Sequence, residues 1–419
     1  MTEEKYFPRI EDVSDAADLL KEIIEPSPTS RSRTYSNTYN ADIYFKEENL
    51  QIVRSYKIRG AYNMIRSLDN EVVKKGIVCA SAGNHAQGVA YSCNKLKIMG
   101  TIYMPMTTPR QKIEQVHMFG EQYIDIVLIG DSFDESNNAA KDFAQKSGKT
   151  FIPPFDDPKI IEGQGTIGLE ILEQIPEDID YVFIPIGGGG LASGVGSVIK
   201  TLSPNTKIIG VEPAGAACMK AAIEKGEIVK LETIDKFVDG AAVKQAGHLT
   251  YEICKDVLDD IIAIPEGAVC TTIIELYNKN AIVVEPAGAL SIAALRFYKE
   301  EIKNKRVVCI ISGSNNDIMR MEEIREKSLI YEGLKHYFIV NFAQRSGALL
   351  AFTRDILSPS DNLEYFQYMR KSNKEEGPAL VGVQVANKED FKSLIRRMDA
   401  NNINYEYINE NNKLFEILI

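Results

Sequence analysis

Residues Tyr181-Val182-Phe183-Ile184-Pro185-Ile186-Gly187-Gly188-Gly189-Gly190-Leu191 decide how this chain is built. The apolar run suits a strand, the four glycines a turn, and 191–202 a helix. Strand, glycines and helix in that order gather backbone amides and the positive end of a helix dipole around one point. Glycine lets an anion approach those amides closely, so the segment suits a phosphate. No Gly-Lys-Ser/Thr follows, so it is not a P-loop. It also stands far from the first strand, with no acidic ribose ligand, so it is not a dinucleotide fingerprint.

The same alternation extends on both sides. Strands are predicted at 42–45, 76–80, 101–104, 125–129, 207–211 and 306–311, with amphipathic helical segments such as 133–146 and 166–174 between them. Strands alternating with helices imply α/β architecture with parallel sheets, here enough chain for two lobes. A ligand would lie in the cleft beyond the carboxyl ends of the strands. A charged helix is predicted at 317–327, and the pattern changes near residue 328. Strand 336–342, helix 347–357, strands 363–370 and 379–386, helix 388–402, and strands 405–408 and 413–419 give a βαββαβ order with one extra strand. That order suits an α+β, ferredoxin-like unit. The expected domains are therefore 1–328 and 329–419.

Bulk properties narrow the partners. A chain of 419 residues exceeds one comfortable core. The balance of 48 basic and 59 acidic residues gives −11, which argues against nucleic acid or an anionic membrane as partner. The segment from Met1 to Pro8 has neither the basic nor the apolar region of a signal peptide, and no apolar stretch is long enough to span a membrane. Six scattered cysteines without a C-x-x-C suit reduced thiols in the cytoplasm rather than disulfides or metal ligands.

Three further segments carry chemistry. Lys57 stands in Ser55-Tyr56-Lys57-Ile58-Arg59-Gly60-Ala61, too small and apolar a setting for a solvated surface lysine. An amine there can act as a nucleophile once bound as a Schiff base, and as a base once released from it. Tyr56 would pack against a ring or fill core. Ser81-Ala82-Gly83-Asn84-His85-Ala86-Gln87-Gly88 offers a hydroxyl, an amide and helix-opening N–H groups, which can hold a carboxylate or only form a capping turn. His85 alone is more readily structural. Ser312, in Ser312-Gly313-Ser314-Asn315-Asn316, follows the strand 306–311 and either faces a ring nitrogen or caps a helix. Amine, amide and anion cradle together are the minimum set for holding pyridoxal phosphate.

These motifs, from about residue 12 to the end, resemble the fold-type II pyridoxal phosphate enzymes, and among them the biosynthetic threonine dehydratases (threonine ammonia-lyases). The resemblance implies a two-lobed, tryptophan synthase β-like catalytic domain with the cofactor in the cleft. It implies that Lys57 carries the cofactor and takes the Cα proton, and that Asn84 bonds the phenolic oxygen. Gly187, Gly188, Gly189, Gly190 and Leu191 would hold the phosphate, Ser312 would meet the pyridine nitrogen, Tyr56 would pack by the ring, and Gly240 would line the ring or the substrate. Ser81, Ala82, Gly83, Asn84 and His85 would hold the substrate carboxylate. The implied reaction converts L-threonine to 2-oxobutanoate and ammonia, the first step of isoleucine biosynthesis, with L-serine as a side substrate. Two positions depart from relatives. Tyr56 stands where Phe is frequent, and Ala82 stands where serine racemases carry a proton-donating serine. Glu212 matches one ligand of a cation site in those relatives, but Ala217 and Cys218 do not complete it, so no metal is expected.

The C-terminal segments Phe342-Ala343-Gln344-Arg345-Ser346-Gly347-Ala348-Leu349, Phe366-Gln367-Tyr368 and Gly377-Pro378-Ala379-Leu380-Val381-Gly382 resemble one ACT-like regulatory domain of the same enzymes. That implies feedback inhibition by isoleucine through residues such as Phe366 and Tyr368. Family analogy and closed symmetry imply a homodimer or homotetramer.

Overall fold

The structure is a computed structural model and describes residues 6–368, 375–411 and 415. It divides into two compact units, Met1–Ile318 and Met319–Ile419.

The first unit holds two sheets. One has six strands in the order Thr29–Arg31, Asp42–Glu47, Arg306–Ile311, Tyr181–Pro185, Lys207–Pro213 and Asp260–Ile264. All neighbours are parallel except the first pair. The other sheet is wholly parallel, in the order Ile124–Leu128, Gly100–Met104, Ile77–Ala80 and Thr150–Phe151. Each expected strand of this unit is present. Their continuous apolar composition follows from burial on both faces: every residue of Ile77–Ala80, Gly100–Met104 and Tyr181–Pro185 is buried. Separate apolar clusters fill the two lobes, one around Val182, Ile184 and Val195, the other around Ile77, Val89 and Ile102.

Topology brings chemistry-bearing segments together. Arg306–Ile311 lies between Asp42–Glu47 and Tyr181–Pro185, with Val307 opposite Tyr181. The carboxyl ends of these neighbouring strands therefore deliver Ser312 and the glycine run side by side. An isolated antiparallel bridge joins Ser55 to Gly313, and the Tyr56 N–H donates to the Ser312 carbonyl at 3.2 Å. The start of the Lys57–Arg66 helix is thereby tied to the end of that strand.

Two helices differ from expectation by four residues or more at a boundary. The helix expected at 166–174 is Pro158–Gln174, capped by Asp157, whose carboxylate accepts from the Lys159 and Ile160 amides. The charged helix expected at 317–327 is Met321–Tyr331, preceded by a 3-10 turn at Ile318–Arg320, and it groups with the second unit.

In the second unit four strands lie antiparallel in the order Asn362–Tyr368, Glu376–Gln384, Lys335–Ala343 and Asn404–Tyr407. Helices Ala348–Asp355 and Asp390–Ala400 contribute Phe352, Leu394 and Met398 to one core with Phe338, Val340 and Val381. This is the ferredoxin-like arrangement. The strand expected at 413–419 lies, apart from Phe415, outside the described residues, as do 369 and 370 of another and residues 1–5 of the N-terminal segment.

Candidate active site

A small cavity in the first unit is lined by Tyr56, Pro185, Gly187, Gly240, Ala241, Glu285, Ala287 and Ser312. Four of the sequence-predicted site residues thus share one wall.

Lys57 opens the Lys57–Arg66 helix. It is enclosed by protein yet retains some accessible surface, beside Tyr56 of the cavity lining. Its Nζ donates to the Pro154 carbonyl at 2.8 Å and lies 5.2 Å from the centre of the Tyr56 ring. Burial lowers the amine to about 8, against the opposing pull of the Glu285 carboxylate. A far larger neutral fraction is then present near pH 7 than for an ordinary lysine. The Tyr56 phenol is driven up, first by burial and then by Glu285, and stays protonated.

The glycine run is held by its carbonyls. Gly188 O accepts from Thr250 Oγ1 at 2.6 Å, Gly187 O from the Cys218 thiol at 3.7 Å, and Gly189 O from the Ser193 amide at 2.8 Å. Helix Gly190–Leu202 starts within the run, and no intrahelical acceptor exists for its first amides. The backbone passes too close to its neighbours for side chains. A Cβ on Gly188 would fall 2.3 Å from the Phe155 ring, and Gly189 has φ +96°, a left-handed conformation. Nearby, Asp156 caps the His248–Val257 helix, accepting from the His248, Leu249 and Thr250 amides at 2.9–3.2 Å.

Ser81, Ala82, Gly83 and Asn84 are all partly accessible, and Asn84–Leu96 begins without a side-chain cap. Ser81 Oγ accepts from the Gly83 amide at 3.2 Å, which leaves its proton to donate. A Cβ added to Gly83 would meet nothing within 4 Å, so there is room at this turn. His85 differs: its ring is buried, with Nε2 3.0 Å from the Ile152 carbonyl. Burial, with the nearby Lys57 adding to it, lowers the ring to about 3 against that backbone bond, so it is neutral at physiological pH. Its contribution to a carboxylate site would come from its backbone N–H.

Glu285, absent from the sequence reading, is the main addition. It is 4% exposed at the N-terminus of Pro286–Ala293, and its Oε1 accepts from Asn84 Nδ2 at 2.6 Å. Asn84 Oδ1 in turn accepts from Asn315 Nδ2 at 2.7 Å, and Asn315 also donates to the Val53 carbonyl at 2.9 Å. The signal available was one acid set in Val284-Glu285-Pro286-Ala287-Gly288, too apolar and small a setting for a surface carboxylate.

These residues fit pyridoxal phosphate. The glycine run turns into a helix start whose first amides have no intrahelical acceptor, and Gly187 lines the same cavity as Ser312, which is 3% exposed. Ser55 Oγ and Asn315 Oδ1 are buried without a hydrogen-bond partner among the described residues. Glu212 is buried beside the start of a helix. Its two oxygens accept from the Met219 and Lys220 amides at 2.8 Å, capping Cys218–Lys225. Among the described residues no group of three or more His, Cys, Asp or Glu could hold a metal ion, and no helix is long and apolar enough to cross a membrane.

Residues 20–313 match the family described as pyridoxal-phosphate dependent enzyme, and 326–418 match the C-terminal regulatory domain of threonine dehydratase. The chain is 53% identical over 411 residues to the L-threonine dehydratase biosynthetic IlvA of Halalkalibacterium halodurans, covering 98% of this chain and 99% of that one. It is 52% identical over 400 residues to the protein of that name from Bacillus subtilis, covering 96% and 95%. Among solved structures, the processed form of threonine deaminase isoform 2 from Solanum lycopersicum superposes with TM-score 0.72 at 40% identity, covering 78% of this chain and 96% of that one. Maize serine racemase gives TM-score 0.72 at 31% identity, covering 78% and 99%.

Proposed function

We propose a reaction for this chain from one premise: it belongs to the pyridoxal-phosphate dependent enzymes and carries the C-terminal regulatory domain of threonine dehydratase. The reaction is the dehydration and deamination of L-threonine to 2-oxobutanoate and ammonia, the first step of isoleucine biosynthesis, carried out in the cytoplasm. The observation that carries it is Lys57, an enclosed amine bonded to a carbonyl rather than a carboxylate and lowered to about 8 by burial.

Pyridoxal phosphate, when bound, draws electrons from the Cα of an attached amino acid and makes its proton removable. Lys57 would hold the cofactor and take that proton as general base. The amides of Gly187, Gly188, Gly189, Gly190 and Leu191 would hold the phosphate. The turn of Ser81, Ala82, Gly83, Asn84 and His85 would orient the substrate carboxylate, chiefly by backbone N–H groups at a helix start. Ser312, a hydroxyl rather than an acid, would leave the pyridine nitrogen unprotonated and so favour elimination over racemisation. Ala82 offers no second acid on the opposite face. Tyr56 and Gly240 would border the ring. The β-hydroxyl leaves as water, carrying off a proton that balances the one Lys57 takes from Cα. Water then hydrolyses the released enamine, after tautomerisation, to the oxo acid and ammonia, so the atoms balance. Discrimination against serine rests on one methyl group, worth about 1–3 kcal/mol, so serine should turn over more slowly as a side substrate.

Catalysis falls to the first unit and regulation to the second, Met321–Tyr331 included, with isoleucine as effector and a homodimer or homotetramer as the assembly. Phe366 and Tyr368 face the same side of one strand and pack with Phe342, centroids 5.8 and 6.4 Å away. They border the core, and that packing supports a role for them in sensing the effector. Borohydride treatment of the cofactor-loaded protein, followed by peptide mapping, tests the catalytic assignment. Fixation at Lys57 is expected; fixation at another lysine would contradict it.

A further inference from the structure

We infer that Glu285 is a positioning residue that acts through Asn84 and takes up a proton when an anionic oxygen is placed beside that amide. The inference rests on the proposed reading that the cofactor's phenolic oxygen lies against Asn84.

Asn84 is clamped at both ends. Asn315 donates to its Oδ1, which fixes that atom as acceptor and therefore Nδ2 as donor. Glu285 takes one Nδ2 hydrogen, and the second remains for a ligand in the cavity that Glu285 helps to line. Tight packing keeps the Glu285 carboxyl in place. A Cβ on Gly313 would fall 2.5 Å from its Oε1, one on Gly240 3.4 Å, and the Glu285 amide donates to the Gly313 carbonyl at 3.1 Å. A carboxylate that cannot move away must either repel an arriving anion or become neutral.

The groups facing it bias that choice. Asp239, itself paired with Lys112, acts against ionisation; Asn84, Lys112 and Lys57 act for it; the Tyr56 phenol stays neutral. Burial outweighs the cations and brings Glu285 to about 7. A bound anion raises it further, so cofactor binding is linked to proton uptake. Affinity then falls as pH rises through neutrality, relative to a protein lacking this acid.

The test measures the dissociation constant of pyridoxal phosphate by fluorescence, at pH 6 and pH 8.5, for the wild-type chain and Glu285→Gln. Glutamine keeps an acceptor for Asn84 but cannot titrate. The ratio of wild-type to variant constants should grow about tenfold between the two pH values. An unchanged ratio would overturn the inference. Should Glu285→Gln fail to fold, Glu285→Asp keeps the proton on a shorter arm. It should bind more weakly yet retain the wild-type pH dependence, and loss of that dependence would overturn the inference equally. Failure of the wild-type chain to bind the cofactor at either pH would instead defeat the functional reading beneath it.

Discussion

Arg59, two residues after Lys57, is fully buried between two carboxylates. Its Nε and NH2 donate to Glu48 at 2.8 Å, and NH1 and NH2 to Glu170 at 2.6 and 2.8 Å. Lys46 Nζ reaches Glu170 at 2.6 Å and the Ser27 carbonyl at 2.6 Å. The cluster of two cations and two anions fixes the helix that carries the amine. Arg59→Ala would strand Glu48 without its fork and should cost about 3–5 kcal/mol in chemical denaturation. Burial works against ionisation of Glu48, but Arg59 beside it holds the carboxyl below its usual range. A depressed acid stabilises above its unfolded value and loses that contribution as pH falls through the folded one. Stability should therefore drop on acidification below about pH 4, and in Glu48→Gln this drop should be smaller. Of the candidate site, Lys57, the glycine run and Ser312 stand out in the sequence because each lies at a strand end or in an anomalous local composition. Glu285 does not, because its meaning depends on Asn84, some two hundred positions earlier in the chain.

Helices pack closely through glycine. A Cβ on Gly163 would fall 2.7 Å from the Arg59 carbonyl, and one on Gly194 2.3 Å from the Ile161 carbonyl. The helices Lys57–Arg66, Pro158–Gln174 and Gly190–Leu202 thus meet backbone to backbone, which fixes the distance between the amine and the glycine run. Gly163→Ala should destabilise by about 1–3 kcal/mol through overpacking, measured as a lowered denaturation midpoint, and should weaken cofactor binding as well. Gly226→Ala, which meets nothing within 4 Å but has φ +78°, should cost only backbone strain and spare the cofactor. The same close packing bears on the missed start of Pro158–Gln174: Gly163 and Gly165 look like breakers in sequence, whereas in the fold they are contact surfaces. Most of the longer apolar strands were legible from composition, but Asp260–Ile264, a half-exposed edge strand, was not. The short ones, Thr29–Arg31 and Thr150–Phe151, carry too few residues to show a period.

The whole chain joins a catalytic unit to a ferredoxin-like one, and the proposal gives control to the second. Allostery requires an effector to bind two states unequally. Tyr368→Ala should therefore raise the isoleucine concentration that halves activity, with turnover in its absence unchanged; equal inhibition of variant and wild type would place the effector elsewhere. Two-unit organisation was legible from the change of pattern near residue 328. The grouping of Met321–Tyr331 with the second unit was not, because a charged helix does not reveal by its own sequence which core it joins. The central claim is the reaction itself. Its most direct test is 2-oxobutanoate release from L-threonine by the purified, cofactor-loaded chain beside Lys57→Ala. The account expects steady turnover by the wild type and none by the variant. Turnover that survives the loss of Lys57, or its absence from a wild-type protein that holds the cofactor, would contradict it.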